Sequence, residues 1–236
     1  YNPDLKTFSI SFHEQEYDES NKAYLVSKFI NSKHKDVKIN KNFYLDNLQT
    51  IIDIKGAPAS IPHEFAIYHL SKVIKTDVSV LLSGEGADEF FGGYSRVQKS
   101  PFDYHKINFF KKNINKEDFF NFFLNRYKWF SFEEKNILFN KDIKKMIDDD
   151  VVNKPFKDIF IKSDYSNSYN IILEAFQKNH IKCLLDRLDL MTMNSSIEAR
   201  VPFLDHKILN FINEVPFGYK IKWKSMLHKY LSIFSN

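Results

Sequence analysis

Ser83, Glu85, Asp88 and Glu89 stand together in the run Leu81–Tyr94, which reads LLSGEGADEFFGGY. A hydroxyl and several carboxylates are the oxygen donors that a hard divalent cation and a nucleotide require. Four of the six glycines of the chain, Gly84, Gly86, Gly92 and Gly93, fall in the same run. Glycine accepts positive φ and lets backbone approach a ligand closely, which a phosphate site needs. Immediately before the run, Val78-Ser79-Val80-Leu81-Leu82 has the character of a short apolar strand. Strand, glycine turn and carboxylates together form the layout of a metal–nucleotide site at the carboxyl end of a sheet strand. No Gly-Lys-Ser/Thr follows, so the run is not a Walker-type P-loop. A second reading stays open here: a tight strand–helix turn whose acids favour the helix N-terminus.

A second constellation, Asp186-Arg187-Leu188-Asp189, leads into Glu198-Ala199-Arg200-Val201-Pro202-Phe203-Leu204-Asp205. Asp186 and Asp189 share a helix face. An arginine beside them would neutralise phosphate charge, and an ion network within the helix is the competing reading. For Glu198, Arg200 and Asp205 a structural role is expected, with Pro202 ending a segment. His63-Glu64 with His69 imitates a zinc-protease helix, but that motif needs its histidines four apart. Here they are six apart, on different helix faces, so metal ligation is not expected. The single cysteine, Cys183, rules out an internal disulfide and fits a reducing cytoplasm. Its apolar neighbours predict an inert core thiol.

The elements that must position these residues follow from periodicity. Lys6–Phe12 alternates apolar and polar and predicts a strand; Glu16–Ile30 predicts a helix; Val37–Ile39 predicts a short strand. Helical patterns cover Leu45–Ile54 and, after Pro58 and Pro62, Glu64–Ile74, ahead of the strand Val78–Leu82. Strands alternating with helices indicate a parallel α/β sheet. Beyond Phe102 strand signals fade and helical stretches dominate, notably Glu117–Phe130 and Asn170–Asn194. One α/β domain with a helical second half is expected, with parts at 1–100, 101–168 and 169–236.

Composition bounds the function. The 236 residues are 43% hydrophobic and 27% charged, enough for a full core. Net charge is only +4, from 34 basic and 30 acidic residues spread along the chain, which argues against a nucleic-acid binder. No apolar run approaches the roughly 20 residues that span a bilayer, so no membrane role is expected.

The long segments resemble the synthetase domain of the glutamine-hydrolysing asparagine synthetase family. LLSGEGADEFFGGY is very close to that family's strand–loop motif. DRLDLMTMNSSIEARVPFLDH resembles its second signature, and KTFSISF with the downstream Glu16-Tyr17-Asp18-Glu19 resembles its second-strand region. The similarity covers the start, the glycine run and the last third, and leaves the stretch from Pro101 to Asp164 without a counterpart. It implies a parallel-sheet ATP-pyrophosphatase (Rossmann-like) nucleotide-binding fold. It also implies activation of aspartate as β-aspartyl-AMP, then attack by ammonia from a glutaminase domain to give asparagine, AMP and pyrophosphate. By motif position Ile10, Ser83 and Gly84 would contact ATP, and Asp88 would hold Mg²⁺. Glu85 would lie near the acyl-adenylate, with Arg187 and Asp189 facing the same cleft.

Two alternatives are carried forward. One is an amidotransferase acting on another carboxylate, such as a sugar acid or peptide precursor, with Gly56–Pro62 lining the acceptor pocket. The other is a degenerate homologue without catalysis. A homodimer is the expected assembly.

The chain departs from the family pattern in several places. The pyrophosphate loop S-G-G-x-D-S and the glutaminase domain are not in these residues. Lys224 matches a family lysine in a helix rather than the one in the intermediate-binding loop. Leu190 stands where many relatives carry Arg or Lys. The sequence is therefore expected to be a piece of a longer protein. As an isolated 236-residue chain it is expected to release no pyrophosphate from ATP, and a pyrophosphate-coupled assay showing turnover would overturn this.

Overall fold

Lys6–Phe12 forms the first strand, β1, of the computed structural model, which describes residues 4–12, 18–111 and 114–220. The other elements follow as α1 (Ser20–Phe29), β2 (Lys33–Ile39), α2 (Lys41–Asp46), α3 (Leu48–Lys55), α4 (Pro62–Ile74) and β3 (Val80–Leu82). Helices then dominate: α5 (Ala87–Phe91), α6 (Ser100–Lys111), α7 (Lys116–Tyr127), α8 (Phe132–Leu138), α9 (Lys141–Met146), α10 (Asp149–Lys162) and α11 (Ser168–Ala175). A π-helical turn, Phe176–His180, leads into α12 (Ile181–Met193), followed by β4 (Glu198–Arg200) and α13 (His206–Glu214). These elements form two compact units. The first comprises the described residues up to Glu85 together with Leu184–Pro202; the second comprises Gly86–Cys183 and 203–220. No helix among the described residues is long and apolar enough to cross a membrane.

In the first unit β1 and β2 run parallel, with Thr7 opposite His34, Ser9 opposite Asp36 and Ile10 opposite Val37. Side chains alternate along a strand, so Thr7, Ser9 and Ser11 share one face. There Thr7 Oγ1 lies 3.0 Å from His34 Nδ1, Ser9 Oγ lies 3.1 Å from His34 Nε2, and Ser9 donates to Asp36 at 2.6 Å. Val37 and Ile39 are buried on the other face. β3 pairs in parallel with β4, Val80 opposite Glu198 and Leu82 opposite Arg200. The four strands thus form two separate two-stranded parallel sheets.

Several boundaries move from the sequence expectation. β2 begins at Lys33, and Leu45–Ile54 splits at Asn47 into α2 and α3. Glu16 and Tyr17 lie outside the described residues, as does Lys224. β4 is a strand in a stretch where strand signals had faded: Glu-Ala-Arg carries no apolar alternation, and pairing with β3 alone makes it extended.

The first unit's helices bury Ile51 of α3, Phe65 and Tyr68 of α4, and Met191 of α12 together. α3 stops at Gly56, whose φ of 63° is left-handed and whose N–H bonds the Ile52 carbonyl at 2.8 Å. Pro62 then opens α4, where its fixed φ suits a first helical turn. Glu64, 3% exposed, fastens the intervening loop. It accepts from Lys55 Nζ at 2.7 Å, from the Ser60 N–H at 3.0 Å and from Ser60 Oγ at 2.8 Å. Lys55 also donates to the Pro58 carbonyl at 3.0 Å.

The second unit is built on phenylalanine. Phe119, Phe120 and Phe123 of α7 meet Phe160 of α10 and Phe176, with Val97, Ile171, Ile172 and Ala175 completing the buried cluster. Phe123 is fully buried, its ring centroid 4.7 Å from that of Phe160 and 5.2 Å from that of Tyr127. Burial, reinforced by Cys183, pushes the Tyr127 phenol up to about 12, and its hydroxyl lies 2.8 Å from His180 Nδ1. Cys183 itself is exposed, which corrects the expected core thiol: α12 turns this position outward despite the apolar neighbours.

Burial disfavours an ionised Glu64, but the Lys55 and Ser60 hydrogen bonds outweigh it and hold its carboxyl below the usual range. A carboxyl depressed on folding stabilises above its unfolded value of about 4.3, and that stabilisation disappears as pH falls through the folded value. Glu64→Gln is expected to cost about 3 kcal/mol at neutral pH. Urea titrations should show the gap from the parent closing as the pH is lowered into the acid range.

Candidate functional site

The glycine run folds as strand, turn and helix. β3 ends at Leu82, and the Ser83 N–H continues the ladder by donating to the Arg200 carbonyl at 2.8 Å. Ser83 Oγ accepts from the Glu85 N–H at 3.3 Å, closing a small turn. The next helix, α5, begins after Gly86 with Asp88 and Glu89 in its first turn. Acids there offset the helix dipole whatever else they do.

The glycines divide by role. Gly86 has φ 94°, and a Cβ would sit 2.8 Å from Leu204 Cδ2, so the fold itself demands glycine. Gly92, at φ 70°, ends α5, and a Cβ there would crowd Gln98 and Phe217 at 3.2 Å. Gly84 has no such constraint: its φ is not positive, and a Cβ would meet no atom within 4 Å. The space over Gly84 is open, so backbone can be approached there.

The three acids also separate. Glu89, 1% exposed, belongs to the interior of the second unit, where the Tyr94 hydroxyl donates to it and His180 Nε2 lies 4.0 Å away. Asp88 is half-buried in the first turn of α5. Glu85 turns to Arg187: the guanidinium Nη2 donates to Glu85 Oε1 at 2.9 Å, with side-chain exposures of 10% for the arginine and 23% for the acid. The helix-internal ion network is therefore not what Arg187 forms. Its partner is 102 positions away, while Asp186 and Asp189 are exposed on α12. Arg187 Nε is buried and has no hydrogen-bond partner among the described residues.

Other expected residues fall as follows. Ile10 is half-buried near the end of β1 and opposite Val37. β1 and β3 belong to different sheets, so no common ladder joins Ile10 to Ser83. Glu198 and Arg200 form an exposed pair at 2.9 Å, and Asp205 caps α13 by accepting from the Lys207 N–H at 2.9 Å. Among the described residues no group of three or more His, Cys, Asp or Glu side chains forms a metal cage.

His63 was set aside as a false metal ligand, yet it shares an environment with the central ion pair. It retains accessible surface at the start of α4. Surrounding protein atoms push its imidazole below the usual range; the Arg187 charge adds to the depression and Glu85 opposes it. The sequence held no signal for this, because packing of Phe65 and Tyr68 against Met191 brings α4 to α12.

Comparison with known proteins agrees with the motifs. The asparagine synthase family model matches residues 1–232. Glutamine-hydrolysing asparagine synthetase 1 of Bacillus subtilis (strain 168) is 26% identical over 254 residues, covering 98% of this chain and 39% of the relative. Glutamine-hydrolysing asparagine synthetase 3 of the same organism is 24% identical, covering 96% of this chain and 37% of the relative. A putative glutamine-hydrolysing asparagine synthetase of Mycobacterium tuberculosis (strain ATCC 25618 / H37Rv) is 24% identical over 94% of the chain. The chain thus spans less than two-fifths of the length of these relatives.

The steric division of the glycines yields a paired expectation. Gly86→Ala should lose about 1–3 kcal/mol, from backbone strain and the clash with Leu204. Gly84→Ala should leave stability unchanged, and denaturant titration of the two variants separates them.

Proposed function

Because the chain belongs to the asparagine synthase family, we propose that it forms the synthetase part of an ATP-dependent amide ligase. In this reading aspartate is activated as β-aspartyl-AMP and aminated by glutamine-derived ammonia, giving asparagine, AMP and pyrophosphate. One observation carries it: the Glu85–Arg187 pair joins the two signature segments within one compact unit. We place the reaction in the cytoplasm and treat residues 1–236 as one synthetase-type domain.

The residues present suit ATP and Mg²⁺. Open space over Gly84 and the Ser83 hydroxyl beside it leave room for an anionic oxygen. Mg²⁺ commonly binds through one or two carboxylates plus substrate phosphates rather than an all-protein cage, so Asp88 is a sufficient kind of ligand. When bound, the ion takes up charge developing on the pyrophosphate leaving group. Ile10 would pack against the nucleotide, and Asp189 would order solvent or substrate at the exposed edge of α12. Arg187 orients Glu85 and presents positive charge, and the Glu85 carboxylate would receive a proton from the attacking ammonia.

The second reading, an acceptor other than aspartate, draws on Leu190. It is 39% exposed on α12, three positions past Arg187, and supplies no charge for a second carboxylate.

The test uses the full-length protein with ATP, Mg²⁺, ammonia and a panel of carboxylates. Asparagine, AMP and pyrophosphate in equal amounts with aspartate support the first reading. An amide on another carboxylate supports the second, and ATP binding without turnover on any carboxylate sinks both. Glu85→Gln should lower amide formation about a hundredfold, and Gly84→Ala should weaken ATP binding about tenfold at unchanged stability.

A further inference from the structure

Three helices of the second unit border a cavity of about 380 Å³, in the helical stretch to which the sequence motifs assign no role. Lys135 and Phe139 line it from α8 and the end of that helix, Lys144 and Ile147 from α9 and its end. Asp149 and Asp150 line it from the first turn of α10. The volume falls in the range of small-molecule sites, roughly 300 to 1,000 Å³.

Most of the charges around this space are already matched. Lys135 Nζ donates to both oxygens of Asp149, at 2.7 and 2.9 Å. Asp148 also lines the cavity, and its Oδ1 caps α10 by accepting from the Asp150 N–H at 2.9 Å. One ammonium, Lys144, and one carboxylate, Asp150, are left over. Neither side chain makes a hydrogen bond or ion pair among the described residues.

Each leftover charge suits its own helix, a cation in the last turn of α9 and an anion in the first turn of α10. Helix dipoles explain those signs. They do not explain why both charges border one cavity whose other walls include the apolar Phe139 and Ile147. A purely anionic ligand would meet three aspartates there, and a purely cationic one two lysines. A small zwitterion with a hydrocarbon part answers all of these walls, because each of its charges finds the opposite charge and its side chain finds apolar surface.

We propose that this cavity is a binding site for an α-amino acid with an aliphatic side chain. Asp150 takes the ammonium, Lys144 takes the carboxylate, and Phe139 and Ile147 flank the hydrocarbon. The Lys135–Asp149 pair forms a polar wall that favours neither charge. The site lies wholly within the second unit and does not rest on the amide-ligase reading.

The experiment titrates the full-length protein with L-leucine by calorimetry. Two analogues serve beside it: isoamylamine, which lacks the carboxylate, and 4-methylpentanoate, which lacks the ammonium. Leucine should bind saturably, with a Kd of about 1 mM or tighter, and each analogue should bind about tenfold more weakly. Lys144→Met should weaken leucine about tenfold and leave isoamylamine unchanged. Asp150→Asn should weaken leucine to the same degree and leave 4-methylpentanoate unchanged. Both positions lie at the rim of the unit rather than in its aromatic core, and a thermal unfolding curve for each variant confirms that it is folded. Absence of saturable leucine binding overturns the inference. So does leucine binding that neither variant alters, since that ligand then sits elsewhere in the protein, and so does an analogue that binds as tightly as leucine.

Discussion

An ion pair between Glu85 and Arg187, 2.9 Å long and largely withdrawn from water, links a turn near the middle of the chain to a helix 102 positions later. Buried charges are costly to desolvate, and such a pair persists only where both partners are held in place. Glu85 is held by the Ser83 turn at the end of β3, and Ser83 by its bond to the Arg200 carbonyl. Arg187 is held by α12, whose Met191 lies in the core with Ile51, Phe65 and Tyr68. Breaking the pair would strand an arginine one of whose N–H groups already has no partner among the described residues. The two signature segments are thus coupled by strand pairing, helix packing and charge at once.

The glycine run illustrates how one motif mixes structural and chemical demands. Gly86 and Gly92 are required by left-handed backbone and by neighbouring side chains. Glu89 is required by the interior, where it satisfies Tyr94. What packing does not account for is Gly84, and half-buried Ser83 and Asp88 stay accessible beside it in the sequence. Those are the residues to which the proposed function assigns ATP and metal. The phenylalanines of the helical stretch have a plain role: Phe119, Phe120, Phe123, Phe160 and Phe176 form the aromatic core of the second unit, where ring packing replaces the aliphatic core of a sheet-centred fold.

Local pattern made much of this legible. Alternation revealed β1, and the strand–glycine–acid order located β3, the Ser83 turn and α5. Boundaries slipped where a neighbour decided them, as at Asn47 between α2 and α3. β4 escaped because three residues without apolar alternation become a strand only through a partner. Cys183 misled because apolar neighbours in sequence lie on other faces of a helix.

By itself, the sequence determined the family, the mixed α/β class with parallel strands, and the segments that carry the chemistry, because these reside in residue type and short-range spacing. Tertiary structure alone decided that Arg187 answers Glu85 rather than its own neighbours, that Gly86 is structural while Gly84 is open, and that His63 feels the charges of the ion pair. The physical reason is common to all three: charge pairing, steric clearance and desolvation depend on distances between groups far apart in the chain, and those distances exist only once the helices and strands have packed.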